Sequence, residues 1–125
     1  RKTDLGSQYP RERFEERIAA LVDRAAISLT ARDRDGALVG VCFAITDFAY
    51  WLFITDLGVV RGRTGQGIGR ALVKRALEIA GGEENIILYT CAHESTVPFY
   101  EKLGMERAGD VMVYNRADWT AFAVN

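Results

Sequence analysis

Apolar residues at Phe14, Ile18, Leu21 and Val22 recur at i, i+4, i+7 and i+8, with Arg11, Arg13, Glu15, Glu16 and Arg17 on the other face. That period predicts an amphipathic helix over about residues 10–24, with Pro10 suited to its first turn. The pattern then changes to that of strands. "ISLTARD" (27–33) has strand composition, the Asp35-Gly36 pair ends a turn, and "ALVGVCFAITDF" (37–48) reads as a long, largely apolar second strand. Two β-rich runs about an Asp-Gly turn predict a hairpin. After a break at "TDFAY", "WLFITDLGVV" (51–60) supplies a third strand and completes an antiparallel meander.

Helical spacing returns at Ile68, Leu72, Ala76, Leu77 and Ile79, and ends at Gly81-Gly82. "NIILYTCA" (85–92) is so continuously apolar that it predicts a strand buried on both faces. Strand, helix and strand in that order predict a parallel, right-handed βαβ unit. Ser95 or Thr96 is placed to cap a short helix through "VPFYEKL", with Pro98 in its first turn and Gly104 as its left-handed stop. "MERAG" and "DVMVYNR" read as two final strands, "ADWTAFAVN" as a tail, and residues 1–8 as a polar lead-in. The expected fold is α/β: a mixed, mostly antiparallel sheet with one parallel pair and helices on both faces. Without repeats, low-complexity runs or linkers, residues 1–125 read as a single domain.

Composition narrows the function by exclusion. Seventeen acidic residues nearly cancel 16 basic ones, with no block of like charge, which argues against a nucleic-acid partner. Cys42 and Cys91 both lie in apolar runs and His93 is the single histidine. A disulfide framework and a metal site are therefore not expected, and the thiols read as reduced and buried in a cytoplasmic protein. No apolar run approaches a membrane span. The chain opens on Arg1, so a missing targeting segment carries no weight.

The chemistry concentrates in "RGRTGQGIGRALV" (61–73), where glycines at 62, 65, 67 and 69 run straight into a helix. A glycine loop between strand and helix suits phosphate: N–H groups of the first turn point outward, and missing Cβ atoms let an anion approach. The nucleotide P-loop fails because Ile68, not Lys, follows Gly67. The dinucleotide fingerprint fails at Arg70 or, started at Gly67, at Leu72.

The stretch resembles the central motif of the GNAT-type N-acetyltransferases, in which L-x-V on a strand leads into [QR]-x-x-G-x-[GA]. Leu57 and Val59 match the strand portion, Gly67 and Gly69 the glycines, and Gly65 and Gln66 follow the family's style. Thr64 departs from the preferred Arg or Gln, with Arg63 beside it as an alternative charge. "TVPFYEKLGM" (96–105) resembles the family's later A-x-x-F-Y-x-K-x-G-F segment, with Met105 in place of the aromatic and His93 near a position often held by Asn. The resemblance runs from about residue 12 to residue 116. The family's first strand is not evident ahead of the first helix.

The resemblance implies acetyl-CoA as acyl donor and a small-molecule or peptide amine as acceptor, with no metal. Its pyrophosphate would meet backbone N–H groups from Thr64 through Gly65, Gln66, Gly67, Ile68 and Gly69 to Arg70. The strands near Leu57–Val60 and Ile86–Ala92 would splay for pantetheine, Gly58 would mark a bulge, and an N–H near Val59 would hold the developing oxyanion. Tyr100 is the implied proton donor to the leaving thiolate, a transfer uphill by roughly 1.5 pKa units for ordinary groups. Asp56 ranks first as general base and His93 second, ahead of Asp47 and Glu94, with water as a further option. A covalent role for Cys91 is not expected. Arg70 and Lys74 are candidates for CoA's other phosphates, and Phe48, Tyr50 and Trp51 for an acceptor pocket or the core. Family members often pair, which makes a homodimer an expectation to test. The alternative reading is a non-catalytic acyl-CoA-binding module.

Overall fold

The computed structural model of the chain describes residues 14–116. The predicted lead-in, the helical start at residues 10–13 and the tail from residue 117 lie outside the described residues. A helix, α1 (Phe14–Arg24), precedes three strands, β1 (Ile27–Arg32), β2 (Leu38–Thr46) and β3 (Trp51–Val59). A 3₁₀ turn at Arg61–Arg63 leads into α2 (Ile68–Ala80), followed by β4 (Ile87–Thr90) and α3 (Val97–Lys102). The sheet order is β1-β2-β3-β4; β3 runs antiparallel to β2 and parallel to β4. The meander and the βαβ unit are thus present as the hydrophobic pattern predicts.

Side chains fix where the layers meet. Cys42, Ala44, Leu52 and Ile54 on the sheet and Leu72, Val73, Ala76 and Ala80 on α2 form one buried cluster with Ile27 and Ile86. Phe99 and Leu103, from α3 and the residue after it, pack against the same cluster. Gly40 lets α2 close down on β2: a Cβ there would lie 2.9 Å from Ile68 Cγ2 and 3.1 Å from Leu72 Cδ1. Two turns are held by single carboxylates. Asp33 accepts the N–H groups of Asp35 and Ala37, and Asp47 accepts those of Ala49, Tyr50 and Trp51.

Three expectations need correction. The strand at 85–92 is paired only over Ile87–Thr90 and is not buried on both faces: β4 ends the sheet, and Ile87 is 50% exposed. No strand forms at 105–109 or 110–116 among the described residues, and Val111 through Tyr114 are exposed. A run of strand-forming residues becomes a strand only where another edge accepts its hydrogen bonds, and none does so here. Cys42 is buried as expected, but Cys91 is exposed. On α1, Leu21 is half-buried while Val22 is exposed.

Candidate functional site

Pairing between β3 and β4 runs from Trp51↔Ile87 to Ile54↔Thr90 and then stops. The last rung is reinforced by a side chain, Thr90 Oγ1 donating to the Ile54 carbonyl at 3.0 Å. Beyond it β3 continues through Thr55–Val59 against β2, while β4 ends and the chain runs irregularly through Cys91–His93 to a turn at Glu94–Thr96. The two strands therefore part like a fork. Val60 donates to the Val39 carbonyl, so the period-two alternation directs Gly58 toward β2, and the N–H and C=O groups of Leu57 and Val59 into the fork. The predicted splay is present, but it starts after Ile54 and Thr90, leaving Cys91 and Ala92 alone of the 86–92 run on its β4 side. The bulge lies at Thr55, the residue skipped between Asp56↔Phe43 and Ile54↔Ala44, and not at Gly58, which pairs in register with Val41.

The glycine loop closes the wide end of the fork. Gly65 and Gly67 both have φ +81°, the left-handed region that a side chain disfavours, and a Cβ on either would meet nothing within 4 Å. Ala71 N–H to the Gly67 carbonyl is the first helical bond of α2, so the N–H groups of Ile68, Gly69 and Arg70 have no acceptor within the helix. Gly67 is the N-cap, no side chain caps the turn, and the first turn holds no acidic residue. Gly69 is a different case. A Cβ there would lie 3.1 Å from the Phe99 ring, so its missing side chain seats α3 and does not clear space above the loop. Arg63 does not stand in for the missing Arg or Gln at Thr64, because its guanidinium binds Asp33 of the β1–β2 turn at 3.1 Å. Thr64 Oγ1 donates to the Arg61 carbonyl, and Gln66, Arg70 and Lys74 are exposed.

Among the candidate proton-transfer residues, the fold joins some and separates others. Tyr100 on α3 is half-buried. Burial pushes its pKa up first, the Thr90 hydroxyl opposes that, and the Cys42 charge adds to the rise. Asp56 is buried at 7% exposure, and its Oδ2 accepts the Thr55 hydroxyl at 2.9 Å. Its charge reaches Cys42, whose thiol is pushed up to about 11 chiefly by burial.

His93 stands apart on the exposed turn after β4. Its Nδ1 accepts the Ser95 N–H at 3.2 Å and lies 2.9 Å from Ser95 Oγ, while its carbonyl accepts Thr96 and Val97. It builds the entry to α3, a role expected of Ser95 or Thr96; Thr96 takes the N-cap position, but its hydroxyl donates to the His93 carbonyl. Glu94 is paired with both Arg107 nitrogens, which hold its carboxyl below the usual range. Asp47 is likewise held low, by the turn N–H groups it accepts. Phe48, Tyr50 and Trp51 are all exposed and belong to neither core nor fork; at about 3.3 Å per residue Trp51 is roughly 20 Å from Leu57. Sequence reasoning missed Thr90 and Cys42. The available signal was a threonine closing a strand of otherwise aliphatic and aromatic residues.

A sequence profile of the acetyltransferase (GNAT) family matches residues 1–105. Among solved structures, a proposed acetyltransferase from Deinococcus radiodurans R1 is 33% identical over 81% of this chain and 68% of its own, with TM-score 0.67. A GNAT-family acetyltransferase from Streptococcus pneumoniae TIGR4 is 27% identical over 81% of this chain and 80% of its own, with TM-score 0.64. Nourseothricin acetyltransferase is 25% identical, with TM-score 0.53, over 65% of this chain and 50% of that one. No curated protein matches the chain.

Proposed function

The chain belongs to the GNAT family of acetyltransferases, and from that premise we propose that it transfers an acetyl group from acetyl-CoA directly to a primary amine of a small molecule or peptide. The observation that carries the proposal is the fork. β3 runs on through Thr55–Val59 without β4, presents the backbone of Leu57 and Val59 to the gap, and ends at an uncapped helix start with no acidic side chain in its first turn. An extended pantetheine arm fits such a gap by pairing with strand backbone, and a pyrophosphate fits the N–H groups of Ile68, Gly69 and Arg70. The open space over Gly65 and Gly67 suits that anion.

Each residue then has a definite task. The Val59 N–H donates toward the thioester carbonyl oxygen, where negative charge grows as the amine attacks. Tyr100, whose neutral form burial favours, holds a proton at neutral pH for the departing thiolate. The same burial makes it a weaker acid than an ordinary phenol, so the site widens the uphill gap of roughly 1.5 units instead of closing it. Asp56, the residue after the bulge, is the first candidate for the amine's proton acceptor, directly or through water; His93, on the outer turn, is the second.

The test is thiol release from acetyl-CoA over arylalkylamines, polyamines, aminoglycosides, nourseothricin and peptide N-termini, beside calorimetric titration of CoA. Turnover of one amine class supports the proposal. CoA binding with no turnover of any acceptor replaces it with the acyl-CoA-binding module, and absence of CoA binding removes both.

A further inference from the structure

The glycine loop is lightly packed. A Cβ on Gly62, Gly65 or Gly67 would meet nothing within 4 Å, and the 3₁₀ turn Arg61–Arg63 has no buried residue. Two of the loop's hydrogen bonds are local: the Arg63 N–H donates to the Val60 carbonyl at 2.8 Å, and Thr64 Oγ1 to the Arg61 carbonyl at 3.2 Å. A third reaches another element. Arg63 Nη2 donates to Asp33 Oδ2 at 3.1 Å, 30 residues away in sequence, with the two side chains 39% and 18% exposed. The Asp33 end of that bond is fixed by its own turn. Its N–H donates to the Ala37 carbonyl, its carbonyl accepts the Gly36 N–H, and Oδ1 accepts the N–H groups of Asp35 and Ala37. The carboxylate is divided: one oxygen builds the β1–β2 turn and the other holds the loop.

We propose that Asp33 and Arg63 are positioning residues for the acyl donor: their ion pair tethers the glycine loop to the β1–β2 turn and presets it for a pyrophosphate. The inference rests on the reading of that loop as the CoA cradle. Glycine-rich backbone has the most freedom to lose, and a loop that orders only on binding subtracts that loss from affinity. A tie already made in the free protein removes part of the loss. Its position suits the task. Arg63 stands two residues before Gly65, where the left-handed backbone begins, and the far end of the loop is fixed by the Gly67 carbonyl accepting the Ala71 N–H. Charge alone predicts the opposite effect. Asp33 is an anion tied to the loop, and Arg63, once released from it, is a cation free to meet a phosphate. On that account, neutralising Asp33 tightens CoA binding. The tether makes the same change weaken it, so the two accounts differ in sign.

Asp33→Asn keeps an oxygen for the turn N–H groups and removes the charged acceptor that Arg63 uses. Expected by calorimetry is a Kd for CoA raised about threefold, the scale of one partly exposed ion pair. In an Arg63→Gln background the same substitution should weaken binding no further, which is the coupling a double-mutant cycle isolates. Without CoA, the ¹H–¹⁵N heteronuclear NOEs of Gly62 and Gly65 should fall in Asp33→Asn, while those of β2 and α2 stay unchanged. With the best amine of the panel, KM for acetyl-CoA should follow Kd and kcat should stay within about twofold. A Kd unchanged or lowered in Asp33→Asn overturns the tether. So does equal weakening in both backgrounds, or loop NOEs that stay at their wild-type values. Failure of the wild-type chain to bind CoA instead removes the cradle reading, and the positioning role with it, whatever the NOEs do.

Discussion

Removing the buried thiol should change the pH dependence of stability more than stability itself. Cys42 is fully buried between β2's neighbours and α2, and its pKa is pushed from the ordinary 9.0 up to about 11, by burial first and by the Asp56 charge second. The folded chain thus keeps a proton that the unfolded chain has released between those values. Stability from this group is whole below pH 9 and is lost as pH rises through 11. Two units at ~1.36 kcal/mol each give about 3 kcal/mol over the window, most of it gone by pH 11. Cys42→Ala should cost about 1 kcal/mol at pH 8 from lost packing, and should become neutral or stabilising near pH 11. Urea unfolding of both proteins at the two pH values isolates the effect, because the other titrating groups are common to both. Asp56→Asn should move the same limb to lower pH by removing the second cause. A Cys42→Ala cost that is equal at pH 8 and pH 11 would refute the argument.

Other perturbations separate the roles of neighbouring residues. Gly67→Ala forces a side chain onto φ +81° and should cost about 1 kcal/mol in thermal unfolding while weakening CoA binding by calorimetry; Gly62→Ala, with open space and no left-handed backbone, should do neither. Gly69→Ala puts a Cβ 3.1 Å from the rigid Phe99 ring, so it should lower kcat several-fold more than it raises KM for acetyl-CoA. Asp33→Ala releases Arg63 and unpairs two turn N–H groups, so the urea midpoint should report a loss of about 1–2 kcal/mol, and Asp33→Asn should recover part of it.

The elements that sequence made legible are those whose partners lie nearby in the chain. The β1–β2 turn is held by Asp33 onto Asp35 and Ala37, and α2's apolar face recurs with a helix period, so each could be read locally. The bulge was misplaced because glycine content suggested Gly58, whereas its true position depends on how β2 and β3 register across Phe43 and Asp56. The two final strands failed for a similar reason. Val111 and Tyr114 have strand composition, but composition names no partner edge, and among the described residues none pairs with them. At the site, the glycines and Tyr100 were visible as motifs. Thr90 was not, because its meaning lies in a bond to Ile54 across 36 positions of sequence.

That long bond belongs to a wider coupling between the two motifs. Read along the chain, the glycine run and the Phe-Tyr segment look like separate devices, one for an anion and one for a proton. In space they touch: Gly69, on the first turn of α2, admits the Phe99 ring, and the Val59 side chain approaches the same point at 3.8 Å. Phe99 in turn meets Tyr100 edge-on, with ring centroids 5.0 Å apart. On the other side of that turn, Gly40 brings β2 against Ile68 and Leu72. The first turn of α2 is therefore wedged between β2 and α3, and its N–H groups, the end of β3 and the Tyr100 ring are held in one frame. Such contact fixes the distance between the proposed phosphate cradle and the proposed proton donor by packing, which yields little to strain. An acyl carrier gripped at its pyrophosphate would then have its far end placed by the same frame. The glycines consequently do two jobs: Gly65 and Gly67 set backbone direction, and Gly69 sets the spacing between the two halves of the site.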